Sequence, residues 1–422
     1  MLDILAAAAG TGFDVETATR AYLDTLQGPA RAKSDAYFEG GHWLILWGTV
    51  VAVLIDWLIL RFRLSAAFRN LGERVSRRPW IVTAITALVY SLVGWVISLP
   101  WSIYTGFVRE RQYDLMSQSF GAWFGEQLTS LAVSTVMAIV LTVALYAAIR
   151  RAPSRWWLWA TGGAGVFLLI GVVLGPVLIA PLFNTYTEMP AGPLRDRIVA
   201  IAAKEGIPAD HIYVFDQSKQ HKRISANVSG LGPTIRISLN DNLLERTSEP
   251  EILAVMGHEM GHYKLNHIWV LFGVFLALIA IGLFATSRIA PWLIRRYGER
   301  WGVRDLADPA SMPVLAICLA VFFFLATPVT ATLTRVNESA ADAFGLDAAR
   351  EPDGFAKVAM RLSEYRKIEP SALEEALFFD HPSGRTRVRM AMEWKARNVP
   401  NPQMVVPEKG YLDDPEDAAS PK

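Results

Sequence analysis

Six stretches of the chain run almost free of charge: 42–60, 80–100, 128–149, 156–183, 268–287 and 313–334. Each approaches the ~20 apolar residues that a helix needs to cross a bilayer. Trp43, Trp47, Trp57, Trp80, Trp101, Trp156 and Trp157 stand near their ends, where interfacial aromatics collect. Buried helices of a large soluble protein fit poorly, because several runs carry no Lys, Arg or Glu. Six membrane spans are expected. Gly162, Gly163 and Pro176 interrupt the fourth run and predict a kink there, and Pro328 lies within the sixth. Asp56, near the far end of the first, is either interfacial or a polar group facing the other helices.

Between the spans the pattern changes. Residues 14–41 are polar and helix-prone, with Glu16, Arg20 and Asp24 along one side. Residues 184–266 read as a soluble insert. An amphipathic helix is expected over 194–204, with Leu194, Ile198 and Ile201 on one stripe. Strands are expected at 211–215 and 234–239, with a strand and turn at 225–232 between them. Helix resumes at Pro250 and Glu251. Residues 335–398 are mostly helical and charged, and the Pro- and acid-rich tail from 399 to 422 reads as disordered. The chain divides into a polar segment (1–41), a four-span region (42–183), a region carrying the insert, two spans and the C-terminal helices (184–398), and the tail. The fold class is mainly α: a polytopic helical membrane protein whose insert holds a small β-sheet. Residues 1–13, with an Ala-rich stretch but no basic start, read as a disordered or interfacial start, or a shortened secretory signal.

Composition sharpens this. Apolar residues make up 52% of the 422, with 14 Trp, in accord with a chain largely in lipid. The formal net charge of +1 supplies no field for nucleic acid, so no nucleic-acid partner is expected. Cys318, the single cysteine, excludes an intramolecular disulfide and a cysteine-based metal site.

The chemistry centres on His258-Glu259-Met260-Gly261-His262, an HExxH pattern in a helical setting. Residues four apart share a helix face, so both histidines can reach one metal ion while Glu259 touches a water beside it. A third ligand is needed. Gly and His three and six residues on would make a metzincin, but those positions hold Leu265 and Ile268. His267 falls one residue short and is expected at the membrane edge. The other common solution is a later Glu, and Glu338 and Asp342, four apart with small residues between, offer it. Glu338 could ligate while Asp342 orients a ligating histidine; an acidic pair on a solvated helix face reads equally well from these residues alone.

Taken together, Ala-Val-Met-Gly-His-Glu-Met-Gly-His-Tyr (254–263) and Arg-x-x-Glu-x-x-x-Asp (335–342) resemble the type I CAAX prenyl endopeptidases, integral-membrane zinc metallopeptidases of the gluzincin kind. Leu99-Pro100-Trp101-Ser102-Ile103-Tyr104, Ile179-Ala180-Pro181-Leu182-Phe183-Asn184, Ser225-Ala226-Asn227 and His381-Pro382 with Arg387 are similar to further motifs of that family, in the same order. The resemblance runs from about residue 40 to 390. It implies a helical bundle around an intramembrane chamber with the protease site at one end. It assigns one Zn2+ to His258, His262 and Glu338, and makes Glu259 the general base and acid. It puts Asp342 behind the ligands, Ala226 and Asn227 on the substrate-aligning strand, and His381 with Arg387 at the transition state.

Two departures stand out. Family members known from eukaryotes carry a further span before the Leu-Pro-Trp-Ser segment, where this chain has only 61–79. Arg61, Arg63, Arg69, Arg74, Arg77, Arg78, Arg150, Arg151, Arg155, Arg288, Arg295, Arg296, Arg300 and Arg304 then fall on one side, which basic loops mark as cytoplasmic. The protease site would face the other side, outside the cytoplasm of a bacterial inner membrane. Expected partners are the bilayer and a protein or peptide substrate, lipidated or not. The leading function is an integral-membrane zinc metalloendopeptidase acting on membrane-associated or CAAX-type proteins. Alternatives are a quality-control protease of the heat-shock membrane type and a catalytically silent zinc-binding scaffold.

Overall fold

The computed structural model describes residues 12–231, 234–408 and 412. The expectation for the start of the chain therefore falls outside the described residues except at Gly12 and Phe13, and that for the tail does so beyond Glu408 except at Leu412. Helix α1 (Val15–Leu23) opens on Asp14, whose carboxylate accepts from the Glu16 and Thr17 amides and satisfies two of the free N–H groups of the first turn. Helix α2 (Gly28–Arg61) follows. Its 34 residues reach about 51 Å, so the polar residues 28–41 form its first turns and stand beyond the apolar run. Asp56 is buried and accepts from Tyr90 Oη at 2.6 Å. It faces the neighbouring helices, and that bond offsets part of the cost of burying a carboxyl.

Helix α3 (Leu64–Val75) is amphipathic and 12 residues long, about 18 Å and too short to cross. The remaining spanning helices are α4 (Pro79–Ile103), α5 (Phe120–Arg151), α6 (Trp156–Leu174), α10 (His267–Trp301) and α11 (Met312–Ala349). Helix α4 continues through a π-helical stretch, Tyr104–Val108, to Gln112. Helix α6 passes into a second π-helical stretch, Gly175–Ile179, at Pro176, which is where the sequence predicts a kink. Among the described residues six helices are thus long and apolar enough to span, as expected. Contacts run α2–α4–α5–α6–α10–α11 and back to α2, a closed ring. Only 6–22% of each apolar window is buried, in keeping with helices packed edge to edge around an open interior rather than into a solid bundle.

One end of the ring is filled by Leu60, Tyr146, Trp156, Ile294 and Met312. The basic connections gather there: Arg69 donates to Asp308 at 2.5 Å, Arg304 to Glu73, and Arg150 to the Ala307 carbonyl.

The opposite end carries the insert. Strands β1 (Tyr186–Glu188), β2 (Ile212–Phe215), β3 (Ala226–Ser229) and β4 (Arg236–Asn240) form one sheet in the order β1-β2-β4-β3. β2 and β4 run parallel, and the outer pairs antiparallel. β2 and β4 match expectation within two residues at each end, and β3 lies inside the expected strand and turn at 225–232; β1, only three residues long, gives no periodicity to read. Ile212, Ile237 and Leu239 are fully buried with Ile198 of helix α7 (Pro193–Glu205) and Met256 and Met260 of helix α9 (Glu249–Lys264). Burying each such side chain contributes about 1.5–3 kcal/mol. The short α8 (Asp241–Arg246) joins β4 to α9. Helix α12 (Pro352–Leu362), α13 (Ala372–Phe378) and α14 (Gly384–Asn398) complete this end, with α1 packed on α12 and α14.

Candidate metal centre

Helix α9 starts on a capping box: Glu251 accepts from the Ser248 amide at 2.9 Å and also receives Arg361 of α12 at 2.7 Å. That fixes the rotation of α9. Its glycines then let α11 approach backbone to backbone. A Cβ on Gly257 would lie 2.9 Å from the Gly345 carbonyl oxygen, and one on Gly345 only 2.7 Å from the His258 nitrogen. The contact brings residues 258 and 262 of one helix against 338 and 342 of the other.

His258 Nε2 and His262 Nε2 stand 3.1 Å apart, and Glu338 Oε2 lies 3.2 Å from the first and 3.5 Å from the second. These atoms form the one cluster among the described residues with the makings of a metal site. Glu338 Oε2 is buried with no well-formed hydrogen bond, and the groups nearest it are imidazole nitrogens at ion-pair distance, a setting that a cation between them would complete. Four ligands around a tetrahedral ion at about 2.0–2.1 Å would have edges of about 3.3 Å. The observed triangle fits that size.

Behind the triangle each imidazole is held by its other nitrogen. His258 Nδ1 bonds Asp342 Oδ1 at 2.7 Å, and His262 Nδ1 lies 3.0 Å from His267 Nδ1. Asp342 is fully buried and takes Arg387 on both oxygens, Nε at 2.9 Å and an Nη at 2.6 Å. Arg387 therefore meets the site through Asp342, as well as on the pocket wall. Burial alone would push the His258 imidazole down, but Asp342 outweighs it and the pKa rises to about 10. Burial pushes the Glu259 carboxyl up, opposed by the two neighbouring histidines. His381 has Nε2 3.3 Å from Glu338 Oε2 and Nδ1 2.8 Å from Asp380. Burial first, and the Arg366 charge second, hold it below its ordinary value.

Glu259 and His381 share a cavity of about 210 Å³ with Ala226 at the start of β3. Among the described residues β3 pairs only with β4, which leaves its other edge without a partner strand there. Asn227 sits on that strand opposite Ser238 and is not part of the cavity wall. The arrangement can hold a divalent ion, place a carboxylate beside a water on it, and align an extended peptide along β3.

His267 opens the fifth spanning helix, in accord with its expected place at the membrane edge. What sequence reasoning missed is that it is also buried against His262. Asn266, with φ of 56°, breaks the helix and swings His267 back; an Asn in left-handed conformation is the available signal.

Residues 188–395 match the model of peptidase family M48, and residues 21–185 match that of the CAAX prenyl protease N-terminal region, described as five membrane helices. Among the described residues that second stretch holds four spanning helices, together with the short α3. The chain is 26% identical over 364 residues to an uncharacterized metalloprotease, YhfN, of Bacillus subtilis, covering 84% of both. It is 25% identical over 380 residues to a CAAX prenyl protease 1 homolog of Arabidopsis thaliana, covering 85% of this chain and 86% of that one. The crystal structure of S. mikatae Ste24p superposes with a TM-score of 0.74 at 19% identity, over 92% of this chain and 98% of that one; at that identity the likeness speaks for the fold.

Proposed function

Since the chain belongs to the CAAX prenyl protease family of M48 metallopeptidases, we propose that it cuts the tails of membrane-associated, CAAX-type proteins with one zinc ion held by His258, His262 and Glu338. The observation that carries this reading is the buried Glu338 oxygen, without a well-formed hydrogen bond, facing two imidazole nitrogens at 3.2 and 3.5 Å. Zinc, bound there, would lower the pKa of its water toward neutrality and polarise the scissile carbonyl.

The chain's own residues supply the rest. Glu259 takes the proton of the attacking water and returns it to the leaving amine; its raised pKa brings it nearer the working pH, where such a shuttle is most efficient. His381, in its protonated form, would donate from Nε2 to the carbonyl oxygen as charge develops on it; Asp380, which accepts from Nδ1, orients the ring and favours that form against the burial and the Arg366 charge that oppose it. Asp342 fixes the His258 tautomer so that Nε2 faces the ion, and Arg387 keeps Asp342 charged and in place. Ala226 and Asn227 present the free edge of β3 to an extended substrate.

The multi-pass chain lies in the membrane, and the basic end of the ring is assigned to the cytoplasm, with the site outside it in a bacterial inner membrane. The names of the relatives favour the CAAX line over the heat-shock type. Glu259 opposes a silent scaffold, since a structural site has no use for a non-ligating carboxylate and would close with a fourth protein ligand. The test is cleavage of a quenched peptide by purified protein: a chelator stops it, zinc restores it, and unchanged cleavage under the chelator refutes the reading.

A further inference from the structure

The chain reaches β3 through a stretch, 223–225, with no regular structure of its own. Side chains of the insert hold its backbone. Asn240 donates to the Arg223 carbonyl at 2.7 Å and accepts from the Ser225 amide at 3.0 Å. Asn242 donates to the His221 and Arg223 carbonyls at 2.6 and 3.1 Å. Both asparagines are buried. Ile224, Ser225 and Ala226 then run on as a wall of the cavity beside Glu259.

The Arg223 side chain leaves the insert altogether. Its guanidinium pairs with Glu110, in the last turn that prolongs α4, and donates to Tyr37 Oη of α2 at 2.7 Å. Tyr37 Oη donates onward to Glu110 at 2.7 Å, so side chains from three segments close one ring of bonds. Arg109 locks Tyr37 from behind, donating to its carbonyl and lying 4.0 Å from the ring centre. The backbone repeats the link: the Ser117 amide donates to the Gln220 carbonyl at 3.0 Å, and the Lys222 amide to that of Leu115 at 3.2 Å. Side-chain exposures of 26% for Arg223 and 14% for Glu110 keep most water and salt from screening the pair, unlike a surface salt bridge.

We propose that Arg223 is a positioning residue for the cleavage reaction: through Glu110 and Tyr37 it ties the start of β3 to the membrane-spanning helices, and so holds the strand's unpaired edge in line for an extended substrate. This rests on the metallopeptidase reading above, with β3 as the strand that receives the peptide. Severing the tie leaves the fold standing, because Asn240 and Asn242 still fasten the stretch to the insert. The strand must then be ordered when a peptide binds, and that cost falls on affinity rather than on the chemical step.

The experiment compares kcat and KM for one quenched peptide with the full chain reconstituted in liposomes. Arg223→Gln and Glu110→Gln are each expected to raise KM about tenfold, with kcat within about twofold of wild type and zinc content unchanged. Because the two residues act through one bond, the double variant should be no worse than either single, and Arg223→Lys should recover part of the loss. Fluorescence anisotropy in Glu259→Gln protein, which turns over too slowly to interfere, reads the same loss of peptide affinity directly. Unchanged KM in both single variants, additive losses in the double variant, or a fall in kcat that tracks a lower unfolding temperature overturns the assignment. Failure of the underlying reading looks different: wild-type cleavage that a chelator leaves untouched.

Discussion

His267 reaches back across the break between two helices to place its Nδ1 3.0 Å from Nδ1 of His262. One ring donates and the other accepts, so the bond fixes which nitrogen of His262 is left for an ion. Partners of this kind are commonly worth 10–100-fold in metal affinity. His267→Ala is expected to lose zinc to a competing chelator about 10–100-fold more readily, with folding intact, and His267→Asn to recover part of the loss. Unchanged zinc retention in the alanine variant would show the bond to be incidental.

Glu259→Gln keeps the shape of the site but removes the proton acceptor. Cleavage should fall by about 10²–10⁴-fold, while metal analysis still finds about one zinc per chain, as expected of a residue that works beside the ion rather than on it. Loss of zinc in this variant would reassign Glu259 as a ligand.

The raised His258 pKa predicts the pH dependence of metal uptake. In the metal-free protein burial opposes the charge, but Asp342 holds the ring protonated up to about pH 10. A ligand must be neutral to bind, so uptake near pH 7 should release about one proton from this ring, and affinity should fall about tenfold for each unit of acidification. The sign for folding is the reverse. A raised pKa stabilises the metal-free form in full below about pH 6.5, and that gain fades as pH rises toward 10. Titration of zinc in weak buffers of different ionisation enthalpy counts the protons; none released near pH 7 would contradict the Asp342 effect.

Gly345→Ala puts a methyl 2.7 Å from the His258 backbone nitrogen. Neither backbone can yield without parting α9 from α11. A loss of about 1–3 kcal/mol is expected, together with weaker zinc binding, because ligands sit on both helices. Thermal unfolding in detergent, with and without zinc, measures both.

Reporter fusions after Ala152 and after Pro190 test orientation. The first, beside Arg150 and Arg151, should report cytoplasm, and the second the opposite side. Cytoplasmic activity at Pro190 would put the catalytic face inside.

Much of this was legible in the sequence, for reasons that differ between parts. Spans show as long runs because lipid tolerates few charges, yet their ends do not show, since helix continues wherever backbone bonds do. The sixth run stops near 334, while α11 carries on through Glu338 and Asp342 to Ala349 as one helix. His258 and His262 were legible because spacing alone puts them on one face. The pairing of α9 with α11 rests on Gly257 and Gly345, whose missing side chains leave no pattern to read. The family resemblance puts Arg387 at the transition state, and the structure gives it first to Asp342, a contact between residues 45 apart that no local periodicity encodes. Arg223 lies in the irregular stretch just before β3, where periodic reasoning has nothing to grip.

Because α11 is unbroken, Glu338 stands on the same rod that crosses the bilayer, only four residues past the end of its apolar run at Thr334. Four residues are about 6 Å of helix. The distance from the end of the apolar run to the cutting site is therefore set by a length of continuous helix, with no loop between them. A protein held in the membrane is measured against that length, and bonds much farther from its anchor pass the blade out of reach.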